Sequence, residues 1–258
     1  MAKRMNVLVG TNKGVFMFTS DERRKEWNLK GPFLSGWEVY GVLGDSRHGH
    51  RIYAGTSHAA YGATIRVSDD FGESWTQIEQ GPSYAKETGF SLNRIWQLVP
   101  GHPSEPDTLF AGVEEAGIFV SRDRGATWRE LDGLTKHPTR PGWFPGAGGM
   151  CLHTILIDPR DPRRMWVAMS AVGVFRTEDG GNTWTPRNQG LARVPTGQPQ
   201  EEVGFCVHKM VLDPFDPDTL YMQEHGGVFQ STDGGDNWFA IEDGITLRDN
   251  DAPFGFPI

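Results

Sequence analysis

With 258 residues the chain is long enough for one large β domain over 1–258, and its 33 acidic against 25 basic side chains, formally −8, carry the wrong sign for general attraction to nucleic acid. No apolar run approaches the roughly 18 residues that a membrane-crossing helix needs. With no recognisable secretory leader before Val7, the expectation is a cytoplasmic protein with two free thiols, no cofactor and neither nucleic acid nor membrane as partner.

The first strand signal, Asn6 to Gly10, alternates and ends in Gly, and Gly14-Val15-Phe16 starts a second. Thr19 to Trp27 then offers Asp21 and Trp27 around a charged Glu22-Arg23-Arg24-Lys25 turn. Glu38 to Val42 reads as another strand, and it is followed by Ser68-Asp69-Asp70-Phe71-Gly72-Glu73-Ser74-Trp75. Close copies of that octet open at Ser121, Thr177 and Ser231, at intervals of 53, 56 and 54 residues, so the chain is a repeat of one small supersecondary unit. The pattern Ser/Thr-x-Asp-x-Gly-x-(Ser/Thr/Asn)-Trp has hairpin-turn chemistry. Asp accepts local backbone N–H bonds, Gly takes a positive φ, the hydroxyl adds a local bond and Trp begins the next strand. Residues 19–27 are a degenerate fifth copy.

Measured back from each octet, the other strands fall at equivalent places. Ile95 to Val99, Cys151 to Ile155 and Cys206 to Met210 match 38–42 as first strands; Thr108 to Gly112, Arg164 to Val167 and Thr219 to Met222 match 6–10 as second strands. Gly117-Ile118-Phe119, Gly173-Val174-Phe175 and Gly227-Val228-Phe229 start third strands. Asp158-Pro159-Arg160-Asp161-Pro162 and Asp213-Pro214-Phe215-Asp216-Pro217 supply the turns between first and second strands. Each unit therefore reads as four antiparallel strands with the octet between the third and fourth. The N-terminal unit lacks a first strand, and Pro253 to Ile258 reads as such a strand with no unit behind it.

The octets resemble the Asp-box, or bacterial neuraminidase repeat, of sialidases, sortilin-type receptors, xyloglucanases and photosystem assembly factors. The resemblance implies an all-β propeller of about five four-stranded blades, either a closed five-bladed ring or a shortened version of a larger propeller. It also implies that the octets lie on the face opposite the functional one. The inner-face residues would then be Trp37, Glu38, Tyr40, Arg94, Trp96, Gln97, His153 and His208 from first strands, and His58, Tyr61, Glu114, Glu115, Glu224 and His225 from hairpin loops. The long connections 79–93, 132–150 and 189–205 add Tyr84, Lys86, Glu87, His137, Arg140, Trp143 and Glu202.

That mix of aromatic rings, carboxylates, Arg and His suits a small polar ligand such as a carbohydrate, or a protein partner. Two function classes stay open, because the fold serves both. One is a binding propeller. The other is a glycoside hydrolase with Glu38 and Glu114 as candidate catalytic carboxyls, since glycosidases need two flanking the scissile bond. Sialidase activity is not expected: the opening Phe/Tyr-Arg-Ile-Pro segment of that family is absent, and only Arg94 and Arg140 are placed for a three-arginine cluster. Cys151-x-His153 and Cys206-x-His208 have the side-sharing spacing of a strand and the ligand types of a zinc site. Their equivalent positions on successive units favour ordinary buried side chains, so no metal is expected.

Overall fold

The computed structural model describes residues 4–191 and 201–244, and its regular structure is almost wholly β. Strands β1 (Met5–Thr11), β2 (Gly14–Ser20) and β3 (Asn28–Phe33) form a three-stranded antiparallel sheet in that order. Four-stranded sheets follow, each with its strands in chain order. They are β4 (Glu38–Asp45), β5 (Arg51–His58), β6 (Gly62–Ser68) and β7 (Thr76–Gln77), then β8 (Arg94–Pro100), β9 (Leu109–Glu114), β10 (Gly117–Ser121) and β11 (Arg129–Glu130). The last two comprise β12 (Leu152–Asp158), β13 (Asp161–Met169), β14 (Gly173–Thr177) and β15 (Thr185–Pro186), and β16 (Val207–Leu212), β17 (Leu220–Glu224), β18 (Gly227–Ser231) and β19 (Phe239–Ala240). The octets join third strands to fourth, as their spacing predicts. The expected strand at 253–258 lies outside the described residues, and among those residues no helix is long and apolar enough to cross a membrane.

The chain groups into two compact units. The first takes the described residues up to Pro100 with Pro106–Glu114 and Phe119–Glu130, and the second takes Gly101–Glu105, Glu115–Ile118 and the described residues from Leu131 onward. The core of the first is built on Tyr53, Ile65, Ile95, Leu109, Val113 and Phe119, with Val15, Val39 and Ala54 beside one another in a smaller cluster. That of the second is built on Trp166, Val174, Met210, Leu220, Phe229 and Trp238. Each fully buried aliphatic or aromatic side chain of this kind contributes about 1.5–3 kcal/mol.

In the first unit, glycine sets how closely one sheet approaches the next. A Cβ on Gly55 of β5 would stand 2.7 Å from Ile95 of β8, and one on Gly10 of β1 would stand 2.7 Å from the Val39 carbonyl of β4. Both glycines lie in second strands and both partners in first strands, which explains the Gly that closes the sequence pattern at 6–10.

The octets form one hydrogen-bonded turn four times over. In the second, Ser121 Oγ donates to Asp123 Oδ1 at 2.7 Å and accepts Gly125 N–H at 2.8 Å. Asp123 also accepts Thr127 N–H at 2.9 Å and the Thr127 hydroxyl at 2.6 Å. The same bonds recur around Asp70 and Asp179, and around Asp233 with the Asn237 side-chain amide donating in place of a hydroxyl. The position before the recurring Gly of the octet is left-handed as well: Phe71 and Arg124 have φ of 59° and 61°, and Gly180 and Gly234 have 76° and 71°. The degenerate copy keeps part of the device, with Asp21 accepting Arg23 N–H at 2.9 Å and Arg24 at φ 55°.

The tryptophan indole ties most turns to themselves. Trp75, Trp128 and Trp184 each donate to the carbonyl three residues back, and so does Trp27 in the degenerate copy. Trp238 instead donates to the Arg187 carbonyl at 2.8 Å, while the Gly234 carbonyl of the same turn accepts from Trp166 Nε1 and Arg176 Nη1 at 2.7 and 2.8 Å. In the first unit Tyr53 Oη reaches the Arg124 carbonyl at 2.8 Å.

Replacing Gly55 by Ala is expected to lower stability by about 1–3 kcal/mol through overpacking against Ile95. Gly142→Ala, where nothing lies within 4 Å, stays within about 0.5 kcal/mol of wild type. Urea unfolding of the two variants checks both.

Candidate functional site

All four first strands carry a register irregularity at the same equivalent position. Pairing passes from Val39 to Gly41, Ile95 to Gln97, Leu152 to Thr154 and Val207 to Lys209, leaving Tyr40, Trp96, His153 and His208 out of register. The residue before each is buried: Val39 at 2% exposure and Ile95, Leu152 and Val207 at 0%. Each first strand thus seats an aliphatic residue in the core at this point, and on three of them its two neighbours, Glu38/Tyr40, Arg94/Trp96 and Cys206/His208, are at least partly exposed, whereas before His153 Cys151 is buried. β-Bulges re-aim side chains in this way.

In the first unit these neighbours converge. A cleft of about 300 Å³ is lined by Glu38, Ser57, His58, Ala59, Gly62, Leu92, Asn93, Arg94 and Glu114. Arg94 stands opposite Glu114 in the β8–β9 register and donates Nη1 to both of its carboxylate oxygens, at 3.1 and 3.3 Å. Its Nε reaches Glu38 Oε2 at 3.4 Å. Trp96 Nε1 donates to Glu114 Oε2 at 3.1 Å, so the buried Glu114 is held by two neighbours, whereas Glu38 is half-exposed with one long contact. Burial works against the Arg94 cation, but its bond to Glu114, the Glu114 charge and the bond to Glu38 outweigh that and hold its pKa above the usual arginine value.

Aromatic rings flank the carboxylates. Trp37, His58 and Tyr61 form a three-ring cluster with centroids 4.9 to 6.0 Å apart, and Tyr61 is 76% exposed. The Arg66 guanidinium lies 4.4 Å from the Trp37 ring. Tyr40 and Trp96, the two bulged residues, stack at 4.5 Å, with Arg94 5.6 Å from the Tyr40 ring. Ser57 Oγ, on the cleft wall opposite Glu38 in register, is buried with no hydrogen-bond partner. A buried hydroxyl in that condition is unusual, and a bound polar group would satisfy it.

Of the other first-unit candidates, Tyr84 packs edge-on against Phe90 and Phe119, and Lys86 and Glu87 sit in a single 3-10 turn; the candidates in the second unit do different work. Arg140 donates to the Ala116 carbonyl at 2.5 Å and lies 4.7 Å from the Trp143 ring. Trp143 is only 6% exposed, packs edge-on against Phe175 and donates to Thr139 Oγ1, which leaves it no face for a ligand. His153 donates Nε2–H to the Val207 carbonyl at 2.9 Å and accepts the Thr154 hydroxyl at 3.0 Å. Its dense surroundings push its pKa down to about 4, despite the bond to Val207. Glu224 is buried and accepts the N–H groups of Cys206 and Gly226. The His208 and His225 rings lie 4.7 Å apart. Both cysteines are free thiols.

Ser57 and Asn93 are absent from the sequence-level candidates. Ser57 lies one residue before His58, and Asn93 one before Arg94. The signal that would have found Ser57 is its register opposite Glu38, which needs the hairpin to be paired first.

No protein-family profile matches the chain. An oligoxyloglucan-reducing end-specific xyloglucanase of Emericella nidulans is 24% identical over 215 residues, 80% of this chain and 24% of that protein. Among solved structures, the GH74 xyloglucanase from Xanthomonas campestris superposes with a TM-score of 0.54 at 16% identity, over 92% of this chain and 43% of that one. The extracellular domain of a protein described as a one component system from B. thetaiotaomicron gives 0.59 at 10% identity, over 96% of this chain and 28% of that one. The chain spans about a quarter of the length of the curated relatives it matches. These likenesses show the fold, and it is shared by proteins of different kinds.

Acid should weaken the protein in two stages. With its folded pKa near 4, His153 stays neutral where the unfolded chain, titrating near 6.5, takes up a proton. Its contribution is therefore present above the unfolded value and is lost as the pH falls from about 6.5 toward 4. Asp70, lowered to about 2 by bonds from the Ser74 hydroxyl and N–H and the Ser68 hydroxyl, is lost between its ordinary value of 3.8 and about 2. His153→Gln should flatten the upper stage, with His137, also lowered by burial, retaining part of it, and leave the lower one unchanged. Denaturant midpoints measured across that pH range check this.

Proposed function

We propose that the chain is a β-propeller of the Asp-box type and that its Glu38–Arg94–Glu114 cleft binds a glycan. The observation that carries the reading is the cleft itself: two carboxylates joined by one guanidinium, an unpartnered serine hydroxyl, and ring clusters Trp37/His58/Tyr61 and Tyr40/Trp96 beside it. Sugars offer hydroxyls to the first set and apolar ring faces to the second, the mixture of apolar surface and few convergent polar groups that small-ligand sites use. The curated relatives are named xyloglucanases, so xyloglucan oligosaccharides are the first ligands to try. Glu114, fixed by Arg94 and Trp96, orients; Glu38 and Ser57 remain for the ligand.

Glycoside hydrolysis at the same cleft is the second reading. It is favoured by the shared guanidinium, which brings two carboxylates to one cleft, the pair that such enzymes need on either side of the scissile bond. Glu38 would then be the carboxyl nearer the substrate.

Isothermal titration with xyloglucan oligosaccharides tests binding. Trp37→Ala and Arg94→Met should each weaken it by about tenfold, equivalent to roughly 1.4 kcal/mol. Unchanged affinity in both variants would remove the cleft from the reading. Reducing-end release from the same oligosaccharides tests hydrolysis: turnover abolished by Glu38→Gln with binding intact supports the enzyme, and binding without turnover supports the module.

A further inference from the structure

The second unit carries a cluster that the glycan reading does not use. Cys206, His208 and His225 bring a thiol sulfur and two imidazole nitrogens within 4.8 Å of one another. Cys206 and His208 flank the buried Val207 at the start of β16, and His225 sits in the tight turn between β17 and β18. The sequence paired Cys206-x-His208 with Cys151-x-His153 as a possible four-ligand set. In the structure His153 is engaged through its Nε2 with the Val207 carbonyl, and the third ligand comes instead from the hairpin.

We propose that Cys206, His208 and His225 form a binding site for one zinc-class divalent transition-metal ion, with a further coordination position open to solvent. Thiolate sulfur with imidazole nitrogen is the donor set that zinc and cobalt favour over calcium or magnesium. Tetrahedral coordination needs ligand atoms about 3.3–3.8 Å apart, so the three groups must close by about an ångström. His225 can supply that movement by side-chain rotation, because it is exposed on its turn.

The backbone beneath is already fixed. His225 N–H donates to the Cys206 carbonyl at 3.3 Å, and Glu224, which pairs with Val207 in register, accepts the Cys206 N–H at 3.2 Å and that of Gly226. Glu224 is thus engaged as the brace that holds the two ligand-bearing segments together. The Ser170 hydroxyl lies 3.5 Å from the Cys206 sulfur, where it can donate to a thiolate and orient it as an outer partner does. On binding, a metal–sulfur bond forms, the thiol proton passes to solvent, and no electron is transferred.

The test is cobalt titration of the purified, chelator-treated full chain, followed by absorption. One equivalent of cobalt should produce a thiolate-to-cobalt charge-transfer band, and zinc should displace it. Cys206→Ser should abolish the band, Cys151→Ser should leave it, and His225→Ala should weaken cobalt binding by more than about tenfold, the scale on which even an outer partner matters. His225→Ala changes an exposed turn residue, so it reports on the site even if Cys206→Ser fails to fold; circular dichroism establishes which variants are folded. Absence of the band in wild type, its persistence in folded Cys206→Ser, or unchanged affinity in His225→Ala would overturn the proposal.

Discussion

Gly55 against Ile95 is the contact on which the candidate site of the first unit rests. Sheets stacked face to face need one strand of each to come close to its neighbour, and here the second strand gives up a side chain so that the first strand can seat one. Ile95 enters the core completely, and the residues on either side are thereby displayed together. Gly10 and Val39 repeat the arrangement one sheet earlier, so Arg94/Trp96 and Glu38/Tyr40 are brought side by side by two contacts of the same kind. The chemistry of the cleft follows from packing that contains no polar atom of the cleft itself.

Most of the architecture was legible because the octets mark turns whose bonds are local. Asp123 needs only its own neighbours to make its turn, so its identity and spacing survive in the sequence as a readable signal. From that mark the strands of each sheet could be placed in chain order. The bulges at Tyr40, Trp96, His153 and His208 could not, since a bulge is a relation between two strands and leaves no residue type of its own. His153, read from the sequence as an ordinary buried side chain, is bonded across to the next first strand, a partner that alternation along its own strand could not name.

The same limit governs the site residues. Glu38 and Arg94 were reachable as polar residues at equivalent first-strand positions and Glu114 as a residue of the hairpin loops, and the structure joins them through one guanidinium. Trp143, which looks like a binding platform in the sequence, is held in the second unit's interior by Arg140 and Phe175. An aromatic residue in a long connection reads the same whether it faces a ligand or plugs a core, and only burial separates the two. Ser57 carries the opposite lesson, because an ordinary serine becomes notable only once its hydroxyl is found enclosed without a partner.

The indole of Trp238 departs from its counterparts by bonding to the Arg187 carbonyl, and its turn also receives Trp166 and Arg176 at Gly234. Where its counterparts only brace their own loops, this indole, together with the buried bonds of Trp166 and Arg176 to Gly234, laces two successive sheets of the second unit. The β12–β15 and β16–β19 sheets should consequently open as a single cooperative block, with their amides exchanging at one common free energy.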